Sequence, residues 1–172
     1  TNNGIGSLGI LYDGTEEQKL RYLPRIASGE ITAAFALTEP EAGSDASSIR
    51  TKASRTGDEF VISGRKMFIT NGAIADVVTV IAVTDPVKRV KGGFTAFLLE
   101  KGTRGFSVGK IEKKMGLRGV TTAELVFDEC RVPVSSVIGG EGKIGKGYET
   151  AMRVLDKGRI TLAASAVGAA EK

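Results

Sequence analysis

Residues 35–45 read FALTEPEAGSD, a strand end followed directly by a polar loop. The first four residues are typical of a buried strand, and Pro40 then takes the chain out of the strand ladder. Gly43 allows a ligand to approach the main chain closely, and the loop amides with Ser44 are suited to a phosphate or pyrophosphate. Composition alone more often indicates a plain polar turn, in which three carboxylates cap, turn or face solvent: Glu39, Glu41 and Asp45.

Short strand patterns surround this stretch on both sides. Residues 31–39 predict one strand, and residues 48–72 predict three strands joined by turns near Gly57-Asp58 and Ser63-Gly64. The run ADVVTVIAVTD at 75–85 is apolar on both faces and predicts a central strand. Three further strands are predicted in the ranges 92–102, 105–112 and 121–133. Many short strands with glycine-containing turns predict a mainly β fold, an antiparallel barrel or sandwich.

Helical patterns lie at both ends of the chain. Residues 1–14 suit the tail of a helix plus a loop, and Thr15 to Gln18 fit a capping box that opens another helix. Pro24 is expected to end or kink that helix, and Gly29 marks its exit. Beyond Pro133, five residues fit one helical stripe: Tyr148, Met152, Leu155, Leu162 and Ala166.

Three parts are therefore predicted, and the chain is interpreted as a piece of a longer protein. Residues 1–30 are expected to end an N-terminal helical domain. Residues 31–140 form the β-barrel middle domain, and residues 141–172 begin a C-terminal helical domain.

Composition excludes several classes of function. The chain has 172 residues, one cysteine and no histidine, so it cannot build a Ser-His-Asp triad or a histidine-ligated zinc site within itself, and no metal site is predicted. Its 24 basic and 20 acidic residues are interspersed, and a net charge of +4 gives no nucleic-acid footprint. No apolar run approaches the length of a transmembrane segment.

Two further stretches could carry chemistry. In KMFITNG, strand alternation places Phe68 and Thr70 on one face, where a ring and a hydroxyl suit a planar cofactor, although a core phenylalanine and an edge threonine are commoner. In LDKGR, Asp156 and Arg159 share a helix face and suit a phosphate or ribose, although a surface ion pair is the simpler reading.

Together these stretches resemble the acyl-CoA dehydrogenases, the FAD-dependent enzymes of fatty-acid and branched-chain acyl oxidation. The resemblance rests on ALTEPEAGSDASS at 36–48, GRKMFITNG at 64–72, EKKMGLRGVTTAELVFDECRVP at 112–133 and LDKGR at 155–159. The resemblance covers essentially the whole chain, and the sequence is most similar to the long- and very-long-chain branch and its bacterial relatives.

The resemblance implies a flavin site on the β domain. Phe35, Ala36, Leu37 and Thr38 would run beside the isoalloxazine ring, with Gly43 and Ser44 at the FAD pyrophosphate. Ser44 would also lie near the CoA portion of the substrate, whose nucleotide end Asp156 and Arg159 would bind. Three residues of the second stretch would complete the flavin contacts: Phe68, where many members carry Trp, Ile69, and Thr70 near flavin N5.

The implied reaction is α,β-dehydrogenation of an acyl-CoA thioester, with loss of the α proton to a base and transfer of the β hydride to flavin N5. Most members carry the glutamate base in a position beyond Lys172, and others carry it where this chain has Gly158, so no catalytic residue is predicted here. The resemblance also implies electron-transfer flavoprotein as the acceptor and a homodimer or homotetramer. The compartment would be the cytoplasm of a bacterium or the mitochondrial matrix of a eukaryote.

Other functions remain open on the sequence. An acyl-CoA oxidase or a flavin monooxygenase of the same architecture would keep the fold and change the chemistry. A non-catalytic β-barrel module that binds CoA esters is the alternative from another class.

Overall fold

A computed structural model describes residues 4–171 of the chain. Within this part there are three α-helices, α1 (Ile5–Asp13), α2 (Glu16–Ser28) and α3 (Gly147–Ala170). The strands are β1 (Ala33–Ala36), β2 (Lys52–Thr56), β3 (Glu59–Thr70), β4 (Val77–Val83), β5 (Phe94–Glu100), β6 (Phe106–Ile111) and β7 (Thr122–Pro133). The prediction of a mainly β chain flanked by helices is confirmed.

The described strands form one curled sheet in the order β1-β4-β2-β3-β7-β6, with β5 paired to β4. Most neighbours are antiparallel, but β1 runs parallel to β4 and β2 touches β4 in parallel at Lys52 and Val83. Every residue of β4 is buried, which confirms the predicted central strand. Phe60 of β3 and Phe97 of β5 contact each other with ring centroids 5.0 Å apart, although their strands do not pair. The sheet therefore curls until its inner face packs against itself.

Two core layers follow from strand alternation. On β1 and the residue after it, Phe35 and Leu37 join the layer under the helices, whereas Ala34 and Ala36 join the layer inside the curled sheet. Helix α1 approaches β1 very closely, because a Cβ on Gly6 would lie 2.8 Å from the Ala33 carbonyl oxygen. The expected helix tail thus spans Ile5–Asp13, while residues 1–3 lie outside the described part.

The capping box of α2 is confirmed. The Thr15 hydroxyl accepts from the Gln18 amide and the Gln18 side chain accepts from the Thr15 amide, both at 3.1 Å. The helix does not end at Pro24: it continues to Ser28 and exits at Gly29, whose φ is +79°. Pro24 therefore lies inside the helix, which is capped by Thr15 at its start and by Gly29 at its end.

The prediction of three strands in residues 48–72 is wrong. Only two strands form, β2 and β3. The predicted turn at Ser63 and Gly64 is absent, because β3 continues through these residues with a shift in its register against β7. Gly64 has a φ of +151°, and a Cβ there would lie 2.8 Å from Thr51 Cβ. A glycine is suited to this position because β3 has a bulge there and its main chain lies close to Thr51.

Helix α3 packs along only its first half. Tyr148, Met152 and Leu155 lie against the core under the helices, whereas Leu162 and Ala166 of the predicted stripe are exposed. No helix within residues 4–171 has the length and apolar character needed to cross a bilayer.

Gln18 connects α2 to the segment that follows β7. Its side-chain oxygen accepts from the amides of Thr15 and Gly139, and its amide nitrogen donates to the carbonyls of Ser135 and Val137 at 3.0 and 2.8 Å. All its hydrogen-bonding capacity is used, and only 8% of the residue is exposed.

We expect Gln18→Met to lower the free energy of unfolding by about 1–3 kcal/mol, because buried groups lose their partners while the volume stays similar. Urea unfolding followed by circular dichroism measures the change. The exposed neighbour Leu20→Gln is the control and should stay within about 0.5 kcal/mol of the unmodified protein. Equal effects of the two variants would contradict the role of Gln18.

Candidate functional site

A cleft of about 1010 Å³ lies between the sheet and the helices α1 and α3. Its sheet wall contains six of the predicted cofactor residues: Phe35, Leu37, Thr38, Phe68, Ile69 and Thr70. Its helical wall comes from residues 4–6 at the start of α1 and from Leu155, Thr161 and Ser165 of α3. The structure thus brings the ends of two strands, distant in sequence, into one cleft.

Thr38 and Phe68 line the same cleft because the segment after β1 hydrogen-bonds to β3. The Met67 amide donates to the Thr38 carbonyl at 2.8 Å. At this point the pairing of β3 with β7 shifts register between Lys66 and Ile69, and Phe68 adopts a left-handed φ of +56°. This conformation is uncommon for a bulky residue, and it leaves 59% of Phe68 exposed at the cleft.

A buried ion pair, Lys66 with Glu39, lies next to this contact between the segment after β1 and β3. Lys66 Nζ donates to Glu39 Oε1 at 2.7 Å and to the Leu37 carbonyl at 2.9 Å. Lys66 is 0% exposed and Glu39 5%. The same carboxylate accepts from the main-chain amides of Arg50 at 2.6 Å and Thr51 at 3.0 Å. The expectation that Glu39 caps, turns or faces solvent is therefore only partly right, since its carboxylate is buried under the loop that it organises.

The sequence carried a signal for this pair. Phe60 and Ile62 alternate inward along β3, and Lys66 occupies an inward position of the same strand. A lysine there needs a buried carboxylate partner, because an unpaired charge in the core is very costly. Glu39 was available, but only the tertiary fold shows that the two residues meet.

The pKa values of the pair follow from its surroundings. Burial acts to raise the pKa of Glu39, but the charge of Lys66 and the hydrogen bonds from Lys66, Thr51 and Arg50 outweigh it and hold this pKa below its usual value. Burial lowers the pKa of Lys66 to about 8, against the opposing effect of Glu39. Both groups are therefore charged at neutral pH.

The loop between Glu39 and Thr51 is closed at its base and exposed at its tip. Glu39 and Ala42 exchange main-chain hydrogen bonds around Pro40 at 3.0 and 3.1 Å. Gly43 and Ser44 are exposed and do not line the cleft. Beyond them Asp45 accepts from Ser47 and Ser48, and these hydrogen bonds, that of the Ser47 side chain foremost, lower its pKa. Glu41 and Asp45 are exposed, as expected for a polar turn.

Besides Gly43 and Ser44, three further predicted residues lie apart from the cleft. The Ala36 side chain is fully buried inside the curled sheet, so only its main chain is open to a ligand role. Asp156 and Arg159 share one face of α3 and form an ion pair at 2.8 Å, with both side chains more than 70% exposed. An exposed pair of this kind contributes little to stability, and a CoA contact for it remains a prediction.

The cleft suits a planar ligand that has polar edges. Phe68 offers an exposed ring, and the Thr38 and Thr70 hydroxyls have no protein partner within residues 4–171. Most of the remaining wall is apolar, with Phe35, Leu37 and Ile74. An apolar cleft with a few convergent hydroxyls is the usual form of a cofactor site. The residues present therefore fit a flavin ring.

A curled β domain whose helix-covered cleft fits a planar cofactor defines the class as a cofactor-binding β-domain protein. Comparison with known proteins identifies the family. The family model described as acyl-CoA dehydrogenase, middle domain, matches residues 34–130. A short-chain specific acyl-CoA dehydrogenase of Clostridium acetobutylicum is 51% identical over 158 residues, which cover 92% of this chain and 41% of that protein. The very long-chain specific mitochondrial enzyme of Homo sapiens is 47% identical, with 97% of this chain and 26% of that protein covered.

Solved structures agree. Butyryl-CoA dehydrogenase from Megasphaera elsdenii matches with a TM-score of 0.88 and 44% identity, covering 99% of this chain and 47% of that one. An acyl-CoA dehydrogenase of Bacillus anthracis complexed with FAD matches with a TM-score of 0.87 and 43% identity, covering 97% and 28%. The chain belongs to the acyl-CoA dehydrogenase family, as the sequence resemblance predicted, and it spans less than half the length of each of these relatives.

We expect Glu39→Gln to lower the free energy of unfolding at neutral pH by about 3–5 kcal/mol, because Lys66 stays buried without its counter-charge. The folded pKa of Glu39 is depressed, so its contribution is present above the ordinary value of 4.5 and is lost as pH falls from there toward the folded pKa. Urea unfolding at a series of pH values should show a shallower acid loss in the variant.

Glu59→Gln is the matched control for this prediction. Glu59 lies 3.5 Å from Arg131 in an exposed pair, and its loss should cost at most about 0.5 kcal/mol. A Glu39→Gln variant with the stability and acid profile of Glu59→Gln would contradict the importance of the buried pair.

Proposed function

We propose that this chain is the flavin-binding part of an FAD-dependent acyl-CoA dehydrogenase that introduces an α,β double bond into acyl-CoA thioesters. The observation that carries the proposal is the cleft in which Thr38, Phe68 and Thr70 meet. The match of the family model to residues 34–130 and the FAD complex of the Bacillus anthracis relative support it. When bound, FAD supplies the hydride acceptor, and the chain supplies binding and orientation.

The proposed roles follow from position in the cleft. Phe35, Leu37, Ile69 and the exposed Phe68 ring would exclude water from one side of the flavin. The Thr38 and Thr70 hydroxyls would hydrogen-bond its polar edge, Thr70 near N5. Hydroxyl donors placed there favour the reduced, more electron-rich ring.

The exposed residues would bind the extended parts of the ligands. The main chain at Ala36 would complete the ring contacts. Gly43 and Ser44 at the loop tip would lie along the FAD pyrophosphate, with Ser44 also near CoA. Asp156 and Arg159 would bind the nucleotide end of CoA, their ion pair opening to do so. No base for the α proton is proposed among the residues of this chain.

We propose the following setting for the whole protein. Residues 1–30 and 141–172 would belong to helical domains on either side of a middle domain at residues 31–140. Electron-transfer flavoprotein would accept the electrons, and the enzyme would be a homodimer or homotetramer. Its compartment would follow its source, and the relatives include both bacterial and mitochondrial proteins. Short-chain and very long-chain specific relatives are 51% and 47% identical, so acyl length is left to experiment.

The longer protein that contains this chain should bind FAD and be bleached anaerobically by a saturated acyl-CoA. Titration with butyryl-CoA and palmitoyl-CoA while the visible flavin spectrum is recorded tests the reaction and compares chain lengths. Bleaching by either ester supports a dehydrogenase or an oxidase, and rapid reoxidation by air would favour the oxidase. A protein that binds no FAD would overturn the proposal in favour of a non-catalytic module.

Thr70→Val should slow the anaerobic reduction of bound flavin by about tenfold or more, because the variant loses a hydrogen bond next to the hydride acceptor. Stopped-flow absorbance measures this rate. Thr122→Val is the control, since Thr122 pairs with Thr70 from β7 and does not line the cleft. Equal rates in both variants would remove the proposed role of Thr70.

A further inference from the structure

Lys66 connects residues 37–38 to strand β3, with which β1 forms no strand pairing. The pairing of β1 with β4 ends at Ala36, so Leu37 and Thr38 lie beyond the strand ladder. They are held to β3 by Lys66 Nζ at the Leu37 carbonyl, 2.9 Å, and by the Met67 amide at the Thr38 carbonyl, 2.8 Å. A charged donor makes the stronger type of hydrogen bond, so the ammonium is the main restraint on this segment.

Glu39 continues the restraint into the loop. Its carboxylate holds Lys66 on one side and the amides of Arg50 and Thr51 on the other, which closes the base of the loop carrying Gly43 and Ser44. One carboxylate therefore sets the position of that loop relative to the cleft. Neither Glu39 nor Lys66 lines the cleft, and both are at least 95% buried, so they do not touch a ligand there.

We propose that Lys66 and Glu39 are positioning residues for bound FAD. Lys66 holds Thr38 against Phe68 at the ring, and Glu39 holds the loop of Gly43 and Ser44 at the pyrophosphate. This inference rests on the proposed function, because it requires FAD in the cleft. It goes beyond a stabilising role for the ion pair: it states that the orientation of the flavin depends on the hydrogen bond from Lys66 to the Leu37 carbonyl.

The test compares four variants in the longer protein that contains this chain: Lys66→Met, Glu39→Gln, the double variant, and Gln18→Met. Urea unfolding of each variant without FAD first establishes that the variant is folded and gives its free energy of unfolding. Quenching of flavin fluorescence then gives the Kd for FAD, and the visible absorption band reports the surroundings of the bound ring. Gln18→Met is the matched control, since it removes buried hydrogen bonds away from the cleft.

Lys66→Met should raise the Kd for FAD about tenfold, because FAD must then order the released segment of Leu37 and Thr38 when it binds, and should shift the visible band. The double variant should regain stability, because no buried charge is left unpaired, yet keep the raised Kd and shifted band. Glu39→Gln retains the bond from Lys66 to Leu37 and should shift the band less. Gln18→Met should lose stability and bind FAD as the unmodified protein does.

The outcomes separate this inference from the function on which it rests. A double variant that binds FAD as tightly as the unmodified protein, with the same visible band, would show that the pair only stabilises the fold. A raised Kd with a shifted band in Gln18→Met would overturn the inference in the same way. If the unmodified protein binds no FAD, the proposed function is wrong, and this inference, which requires bound FAD, is wrong as well. Should Lys66→Met not fold, the double variant decides.

Discussion

The ion pair between Glu39 and Lys66 is the constraint on which the cleft depends. A lysine that is fully buried has to keep a partner, because the cost of leaving its charge unpaired far exceeds any gain from packing its stem. This requirement keeps residues 37–39 against residues 66–67, and it does so where the strand ladder has already ended. The predicted flavin contacts Thr38 and Phe68 lie next to these residues on their two segments. The geometry of the cleft is therefore set by a pair that does not line it.

The two core layers and the curl of the sheet determine where the cleft lies. Alternation along β1 sends Phe35 toward the helices and Ala36 into the curled sheet, so the strand is buried on both faces. The curl brings β3 over β5, as the contact between Phe60 and Phe97 shows. Helices α1 and α3 then cover the open side, with α1 close to β1 at Gly6, and the cleft lies between these helices and the sheet. Packing thus decides where the cleft lies, and the ion pair decides its local shape.

Sequence patterns predicted the cleft residues better than they predicted the local backbone. Phe68 and Thr70 do line the same cleft, but simple alternation is not the reason, since β3 shifts register there and Phe68 takes a positive φ. Gly64 was expected in a turn because glycine is typical of turns, yet it serves a close approach to Thr51. Pro24 was expected to end or kink a helix whose caps carry it on to Ser28. In each case a tertiary contact or a terminal cap outweighed the preference of a single residue.

The sequence by itself determined the class of fold, the family and the principal cleft residues, because strand periodicity, the capping box and the stretches at 36–48 and 64–72 are local in the chain. Only the tertiary structure decided that Glu39 is buried against Lys66, that Ala36 faces away from the cleft, and that Gly43 and Ser44 lie at an exposed loop tip outside it. The physical reason is distance along the chain. The inward position of Lys66 on β3 indicates that it needs a carboxylate partner, but nothing local in the sequence shows that this partner is Glu39, 27 residues away, because their contact is a property of the folded molecule.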